Sequence, residues 1–589
     1  MLHCQTQRHK NIFGMTSTME DKNTVLSEPR ETIGLKKFTT EHHPDISLTR
    51  FLNVEYVHVK TTDGGDLYVT RHGMPFIRHL SPENWYAGKW FKANRERLQG
   101  TSTIYRVSTK EIGGRCLDLV VKWCRFGQDV PLETKIIENA LNAEFNSPFE
   151  EFSLVEELRA ASNGSCRSRI MLQKPLAIYV PPEKLQLWQT GRSKHKIISK
   201  IARHPGVEID ILRQYILIYK WVHGIDAVEA FQRAGIPEEN LALFTERVIA
   251  ELREKGFRVL DQKPAHFIVR MRPDGSIMKD KQGRYAYTLV DFELLERTPE
   301  HEKEVQTSRR VSYLVKQRDR FKDTSTTQWP QHLKPVNIMG VDYVWGLTES
   351  TSGSLWVVGH DPDLFDYFQP ERWRKTPRTK LSLTDDTYYT KTKDNINIVW
   401  KISKVGELPD HSADPDAQRI IASGYNSPFE EFAIAFELMR QGIPTSYPRA
   451  IYMTGLTASE TQPADMRRFE RYRDLCMPDG SPVLRSDHDY ITVWGFWNGP
   501  DESLAEKDGD YYTGINARNA LRRGLISAEE YINLMAHVKE ALATAGFDDL
   551  TLKGSHILLS INPKGQLMRN SAGIPEFRIC NFETMRRCY

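Results

Sequence analysis

Asn146-Ser147-Pro148-Phe149-Glu150-Glu151-Phe152 recurs, letter for letter, as Asn426-Ser427-Pro428-Phe429-Glu430-Glu431-Phe432. Either stretch alone reads as the start of a helix. Ser147 or Ser427 is the N-cap, proline takes the first helical position, and glutamates fill the first turn. A capping device does not explain the surroundings, because other segments match in the same order. Val54-Glu55-Tyr56-Val57 is answered by Val341-Asp342-Tyr343-Val344, and Leu119-Val120-Val121-Lys122 by the run from Asn397 to Lys401. Gly256-Phe257 through His266-Phe267-Ile268 aligns without a gap on Gly546-Phe547 through His556-Ile557-Leu558. Phe292-Glu293 then falls on Phe582-Glu583 at the same offset of 290. Ordered matches along the chain mean a duplicated domain, each copy about the size of one fold.

The duplication divides the 589 residues into a loose polar tail (1–47), a first copy (48–321), a linker (322–335) and a second copy (336–589). The linker is assigned from its Thr, Gln, Asp and Pro content. Apolar residues at 40% and charged residues at 27% are ordinary for a soluble globular chain. A net charge of +3 gives no ground for a nucleic-acid or acidic-membrane partner. The first residues lack an apolar signal core, and no stretch approaches the ~18 apolar residues of a membrane span. Seven cysteines, odd in number and without C-x-x-C spacing, argue against a disulfide framework or a zinc site. A reducing, cytoplasmic setting is expected.

Within the first copy the order is strands, one helix, strands, a long helix and a hairpin, which suits an α+β domain of two lobes. Asp118–Trp123 is a short β-rich run. Pro148–Ala161 is a helix whose Phe149, Phe152, Leu154, Val155 and Leu158 are available for burial. Leu176–Val180 and Tyr215–Val222 read as buried strands. Leu241–Lys255 reads as a helix closed by Gly256. The tryptophans are assigned to the core, with Trp85 and Trp373 at comparable points of the two copies. The basic run from Arg309 to Arg320 reads as a solvated helix face.

Four points along this layout carry chemistry. Asp261-Gln262-Lys263-Pro264-Ala265-His266-Phe267 follows the long helix and enters a strand, and Asp291-Phe292-Glu293 follows the hairpin. Upstream stand Lys122 on a strand and the pair Glu150-Glu151 on a helix. A carboxylate able to accept a hydroxyl proton, a second able to hold Mg²⁺, and a lysine braced by glutamate are what phosphoryl transfer requires. In these motifs the sequence resembles the protein-kinase-like superfamily. Asp261-x-Lys263-Pro264 looks like its catalytic loop, and Asp291-Phe292-Glu293 like its metal-binding D-F-G.

The resemblance implies Asp261 as base, Lys263 as the γ-phosphate contact, Asp291 as a metal ligand and Lys122 on the α/β-phosphates, with Glu151 as the lysine's partner. It further implies that Tyr219-Lys220-Trp221-Val222 is the hinge receiving adenine and that Asp226 lies near the ribose. ATP and Mg²⁺ (or Mn²⁺) are the implied cofactors. His266 stands where kinases usually place a metal-binding Asn, and it is read either as a metal contact or as a structural histidine. Val259 replaces the His of H-R-D, Glu293 replaces the Gly of D-F-G, and the Gly-rich loop retains only Gly100. An Asp followed five residues later by His-Phe is similar to the lipopolysaccharide sugar kinases of the heptose and Kdo type.

Only 45 residues separate Asp291 from Val336. That leaves no room for an activation segment and a helical lobe that seats peptides, so a small molecule or glycan is the expected acceptor. In the second copy Thr551 stands for Asp261 and Asn581 for Asp291, which predicts an inactive copy packed against the first. The alternative is a pseudokinase pair serving as a nucleotide-sensing or protein-binding scaffold. Self-modification or nucleotidyl transfer by the same fold is a third possibility.

Overall fold

In the computed structural model the described residues are 46–98, 102–126, 145–163, 170–183, 213–322, 329–348, 353–373, 376–382, 386–409, 417–457, 464–496 and 513–588, with 128, 130 and 185. The apolar, β-branched and aromatic runs of the first half build an eight-stranded sheet. Its spatial order is Ile46–Phe51, Val54–Lys60, Asp66–Thr70, Pro175–Val180, Ile216–Lys220, Asp118–Trp123, Ile104–Ser108 and Arg95–Arg97. From Val54–Lys60 onward every pairing is antiparallel. Strand Ile216–Lys220 is buried along four of its five residues, as its unbroken apolar run requires.

One helix, Pro148–Asn163, packs against this sheet. Phe149, Phe152, Val155 and Leu158 face inward and join Tyr56, Tyr68, Ile178 and Leu217 in one core. Burying four such side chains supplies roughly 1.5–3 kcal/mol each, which fixes the helix on the sheet. The same core continues into a smaller layer. There Ile225–Asp226, Phe267–Val269, Tyr287–Leu289 and Met171–Leu172 form a four-stranded sheet, and Phe257–Val259 pairs with Leu295–Arg297. Helices Ala227–Arg233 and Glu238–Glu254 cover it with Phe231, Phe244, Val248 and Leu252. The long helix stops at Gly256, whose φ of +80° favours glycine and where a Cβ would lie 2.6 Å from the His301 ring.

The second half repeats this plan. Its eight strands run, in the same spatial order, Lys334–Ile338, Val341–Leu347, Ser354–Val358, Tyr447–Thr457, His488–Gly495, Asn397–Ile402, Thr387–Lys391 and Arg378–Lys380. Helix Pro428–Arg440 occupies the place of Pro148–Asn163, and a three-stranded and a two-stranded sheet complete the smaller layer. Trp85 and Trp373 are both buried, each donating its indole N–H to a backbone carbonyl, of Leu80 at 2.8 Å and of Phe368 at 3.0 Å. The fold is therefore a mixed α/β arrangement built on two large sheets. No helix among the described residues is long and apolar enough to cross a membrane.

Three sequence expectations change here. Ile46 and Ser47, placed in the tail, belong to the first strand. Strand Lys334–Ile338 begins inside the stretch read as a linker, because Lys334 already pairs with Trp345. The largest change concerns the basic run on helix Pro299–Arg318, which is not a solvated face. Arg309 pairs with Asp366 at 2.7 Å and with Asp394, Arg310 donates to the carbonyl of Asn395 at 2.6 Å, and Lys316 meets Asp363 at 2.7 Å. Arg320, just past the helix, is buried. The carboxylate of Asp394 is buried as well, and a buried charge persists only with a cation beside it. The two halves are thus joined through charges that a sequence reading places in water.

Candidate active site

The repeated heptapeptide explains itself once the smaller layer is in place. Asn146 donates its amide to the carbonyls of Phe292 at 3.4 Å and Leu295 at 2.8 Å, and its backbone N–H reaches Glu293 O at 3.0 Å. Asn426 does the same to Phe582, Met585 and Glu583. Ser147 and Glu150 form a reciprocal cap, Ser147 N–H to Glu150 Oε2 at 2.9 Å and Glu150 N–H to Ser147 Oγ at 3.2 Å. One turn of chain therefore starts the helix, straps the Asp291-Phe292-Glu293 loop to it, and leaves Glu151 pointing into the layer between the sheets.

Lys122 lies on strand Asp118–Trp123 and is almost fully buried. Its Nζ donates to Asp291 Oδ1 at 2.5 Å and lies 3.2 Å from Glu293 Oε2. Burial alone would lower its pKa, but Asp291, Glu151 and Glu293 hold it well above the lysine range. Glu151 is not the lysine's direct partner, contrary to expectation. It accepts a hydrogen bond from the Tyr219 hydroxyl at 2.6 Å, and burial pushes its pKa up to about 7 despite Lys122 nearby. Glu293 takes the pairing role and is itself held by Ser102 Oγ at 3.2 Å and Arg125 Nη1 at 3.5 Å. This residue, Ser102 and Arg125 were missed as site residues, although Glu583 recurs at the matching position.

Asp291 follows strand Tyr287–Leu289 in the left-handed region at φ +67°, a conformation Asp tolerates better than most residues. Burial acts to raise its pKa, but Lys122 and His266 outweigh that and leave it below the usual carboxylate range. Asp261 has the opposite balance: burial and the charge of Asp291 raise it. His266 Nε2 stands 3.8 Å from Asp291 Oδ2. One donor atom each from Asp261, His266 and Asp291 falls within 4.8 Å of the others. His266 Nδ1 and both amide atoms of Gln262 are buried without a hydrogen-bond partner. Two carboxylates and an imidazole so placed form a donor set that a divalent cation fits.

The other expected positions are dispersed around this cluster. Lys263 is exposed at the start of the turn Pro264–His266. Tyr219 does not face a hinge pocket; its ring is buried, 6.0 Å from that of Phe292, because its hydroxyl serves Glu151. Lys220 is exposed, and the Trp221 ring sits under the Arg106 guanidinium at 4.7 Å. Lys220, Trp221 and Val222 border a cavity of about 360 Å³ shared with Lys174, His223 and Arg270. Asp226 caps helix Ala227–Arg233, accepting from Glu229 N–H at 3.0 Å. Gly100 lies outside the described residues. Cys124, beside the lysine, has its thiol pushed up to about 12 by burial, so it stays protonated.

The second copy closes the same space with side-chain hydrogen bonds. Asp549, standing where the first copy has Val259, accepts from Thr551 N–H at 3.0 Å and pairs with His556 Nδ1 at 3.2 Å. The other ring nitrogen, Nε2, lies 3.0 Å from Asn581 Nδ2, and Asn581 Oδ1 accepts from Lys401 at 3.1 Å. Lys401 also pairs with Glu583 at 2.6 Å, while burial raises Glu431 to about 8.

No family model matches the chain, and no curated protein does. Among solved structures, the chain is similar to the complex of Rv3197 with erythromycin from Mycobacterium tuberculosis, at 12% identity and a TM-score of 0.17. The match takes in 44% of this chain and 62% of that one, less than two thirds of its length.

Proposed function

We propose that the first copy is a protein-kinase-like phosphotransferase that uses ATP and a divalent cation to phosphorylate a small molecule or glycan hydroxyl. The observation that carries this reading is the convergence of Asp261, His266 and Asp291 beside a buried, permanently charged Lys122. The order of the first eight-stranded sheet fits it too, with the lysine strand Asp118–Trp123 beside Ile216–Lys220, the strand that leads into the smaller layer. Asp291 and His266 would hold Mg²⁺ or Mn²⁺, which supplies neutralisation of phosphate charge when bound. Lys122 binds and orients the phosphates. Asp261, its pKa raised, accepts the acceptor's hydroxyl proton as that oxygen attacks the terminal phosphorus and the nucleoside diphosphate departs. Lys263, exposed at the rim, steadies the transferred group. The closed hydrogen-bond network around Asp549, His556 and Asn581 favours a non-catalytic role for the second copy.

The test is the melting-temperature shift with ATP, with and without Mg²⁺ or Mn²⁺, for wild type and Asp291→Asn. At 100 times its dissociation constant a ligand adds roughly 2.7 kcal/mol to the folded state. A metal-dependent rise in wild type that Asp291→Asn loses is expected. No rise with any nucleotide would sink the reading and leave the scaffold alternative. Asp261→Asn is expected to keep nucleotide affinity while turnover falls about 10²–10⁴-fold.

A further inference from the structure

The glutamate helix Pro148–Asn163 is held at its first turn and at its middle by residues outside it. At its first turn, Lys393 of the second copy places its ammonium 2.5 Å from Glu150 Oε1. Glu150 is buried, caps the helix through Ser147 and immediately precedes Glu151. Further along, Glu157 is gripped by Arg297 at 2.8 Å and approached by His301 Nε2 at 3.3 Å. Arg297 also meets Glu302 at 2.7 Å, and His301 and Glu302 both belong to helix Pro299–Arg318. That helix is in turn anchored in the second copy through Arg309 and Arg310 on Asp366, Asp394 and Asn395.

Lys393, Asp394 and Asn395 are consecutive. They form the turn between strands Thr387–Lys391 and Asn397–Ile402, closed by Thr392 N–H to Ile396 O at 2.8 Å and with Asn395 left-handed at φ +60°. A single turn of the second copy therefore receives the basic helix on one side and touches the glutamate helix on the other. The turn is rigid: Asp394 is buried, and Lys393 N–H is bonded to Arg372 O at 2.7 Å.

We infer that the second copy is a built-in positioning element for the first, and that Lys393 sets where the glutamate helix, and with it Glu151, stands. Lys393 touches no reacting group. It acts through Glu150 on the helix start, and the same helix start holds the Asp291-Phe292-Glu293 loop through Asn146. The second copy can then lose its carboxylates at 551 and 581 and still be required. This inference rests on the proposed function only for its effect on turnover; the mechanical part stands apart from it.

The experiment uses the full chain with Lys393→Ala, Lys393→Glu and Lys393→Arg. Lys393 is over a third exposed, so the variants are expected to fold. Amide hydrogen exchange is read over residues 145–163 and 290–297, with the nucleotide-dependent melting shift measured in parallel. A partly exposed ion pair is worth at most about a fivefold change in an opening equilibrium. Lys393→Ala is therefore expected to speed exchange in those two segments by about two- to fivefold, and Lys393→Glu by more. Lys393→Arg should restore the wild-type pattern. Unchanged exchange there in both Ala and Glu variants would overturn the inference. So would an equal rise across the whole second copy, which would mark Lys393 as merely structural. A wild type without any nucleotide shift would overturn the proposed function instead, while the exchange result would still decide this one.

Discussion

At the scale of single residues, the candidate site is a balance between burial and charge. Glu431 shows it without the complication of catalysis. Its folded pKa, raised to about 8 by burial, stands above the ordinary glutamate value, so the folded state binds its proton more tightly than the unfolded chain does. The associated stability is present below about pH 4 and is lost as pH rises toward 8. Glu431→Gln keeps the shape and removes the titration. Its melting temperature relative to wild type is expected to climb steadily between pH 5 and pH 8.5, and a constant difference would contradict the burial argument. Asp261, Lys122 and Asp291 were legible as a group because each sits in a short string that resembles a motif of one family. Glu293 was not, since its role depends on Ser102 and Arg125, about 170 to 190 residues away in sequence.

At the scale of elements, the heptapeptide was legible as a cap and illegible as a strap. Ser, Pro and Glu announce a helix start through their own backbone preferences. Nothing local says that the preceding asparagine will reach a loop that returns 146 positions later. Asn146→Ala and Asn426→Ala each remove two side-chain hydrogen bonds to loop carbonyls, although Phe292 O and Phe582 O keep a backbone donor, which is expected to cost about 1–3 kcal/mol. Urea denaturation of both variants measures this. Only Asn146→Ala should also weaken metal-dependent nucleotide binding, since only its loop carries Asp291. Equal effects of the two on binding would refute that division. Of the first sheet's eight strands, the three central ones, Pro175–Val180, Ile216–Lys220 and Asp118–Trp123, were readable from their apolar runs, whereas polar edge strands such as Arg95–Arg97 were not. The first two residues of each copy's first strand were assigned to flanking segments, because Ile46-Ser47 and Lys334-Pro335 carry little apolar signal.

At the scale of the whole molecule, the join between the copies pairs an apolar contact, Tyr313 against Tyr367 and Phe368, with a set of ion pairs that the sequence concealed. A helix with arginines at 309, 310 and 318 looks the same facing water as facing aspartates. Replacing Arg309 with Ala leaves the buried Asp394 with only the more distant Arg372, at 3.7 Å. A loss of roughly 3 kcal/mol is expected, seen as a lower urea midpoint with an unchanged slope. Val311→Ala, two residues along on the exposed side, should stay within about 0.5 kcal/mol of wild type. An unmoved midpoint for Arg309→Ala would mean the two halves are held by something other than these charges.

The margins of the two large sheets have a consequence for life in a crowded solution. Among the described residues the two open sheets end in four edge strands, and backbone left unpaired there is where a neighbouring molecule could zip on. Each rim is guarded: Arg95, Glu96 and Arg97 at one, Arg378 and Lys380 at a second, Lys334 and Pro335 at a third, and Arg50 at the last. Charge repels an incoming strand, and proline withholds the N–H it would need. A fold that is doubled doubles the number of such rims, and these few side chains work against strand-to-strand association at each of them.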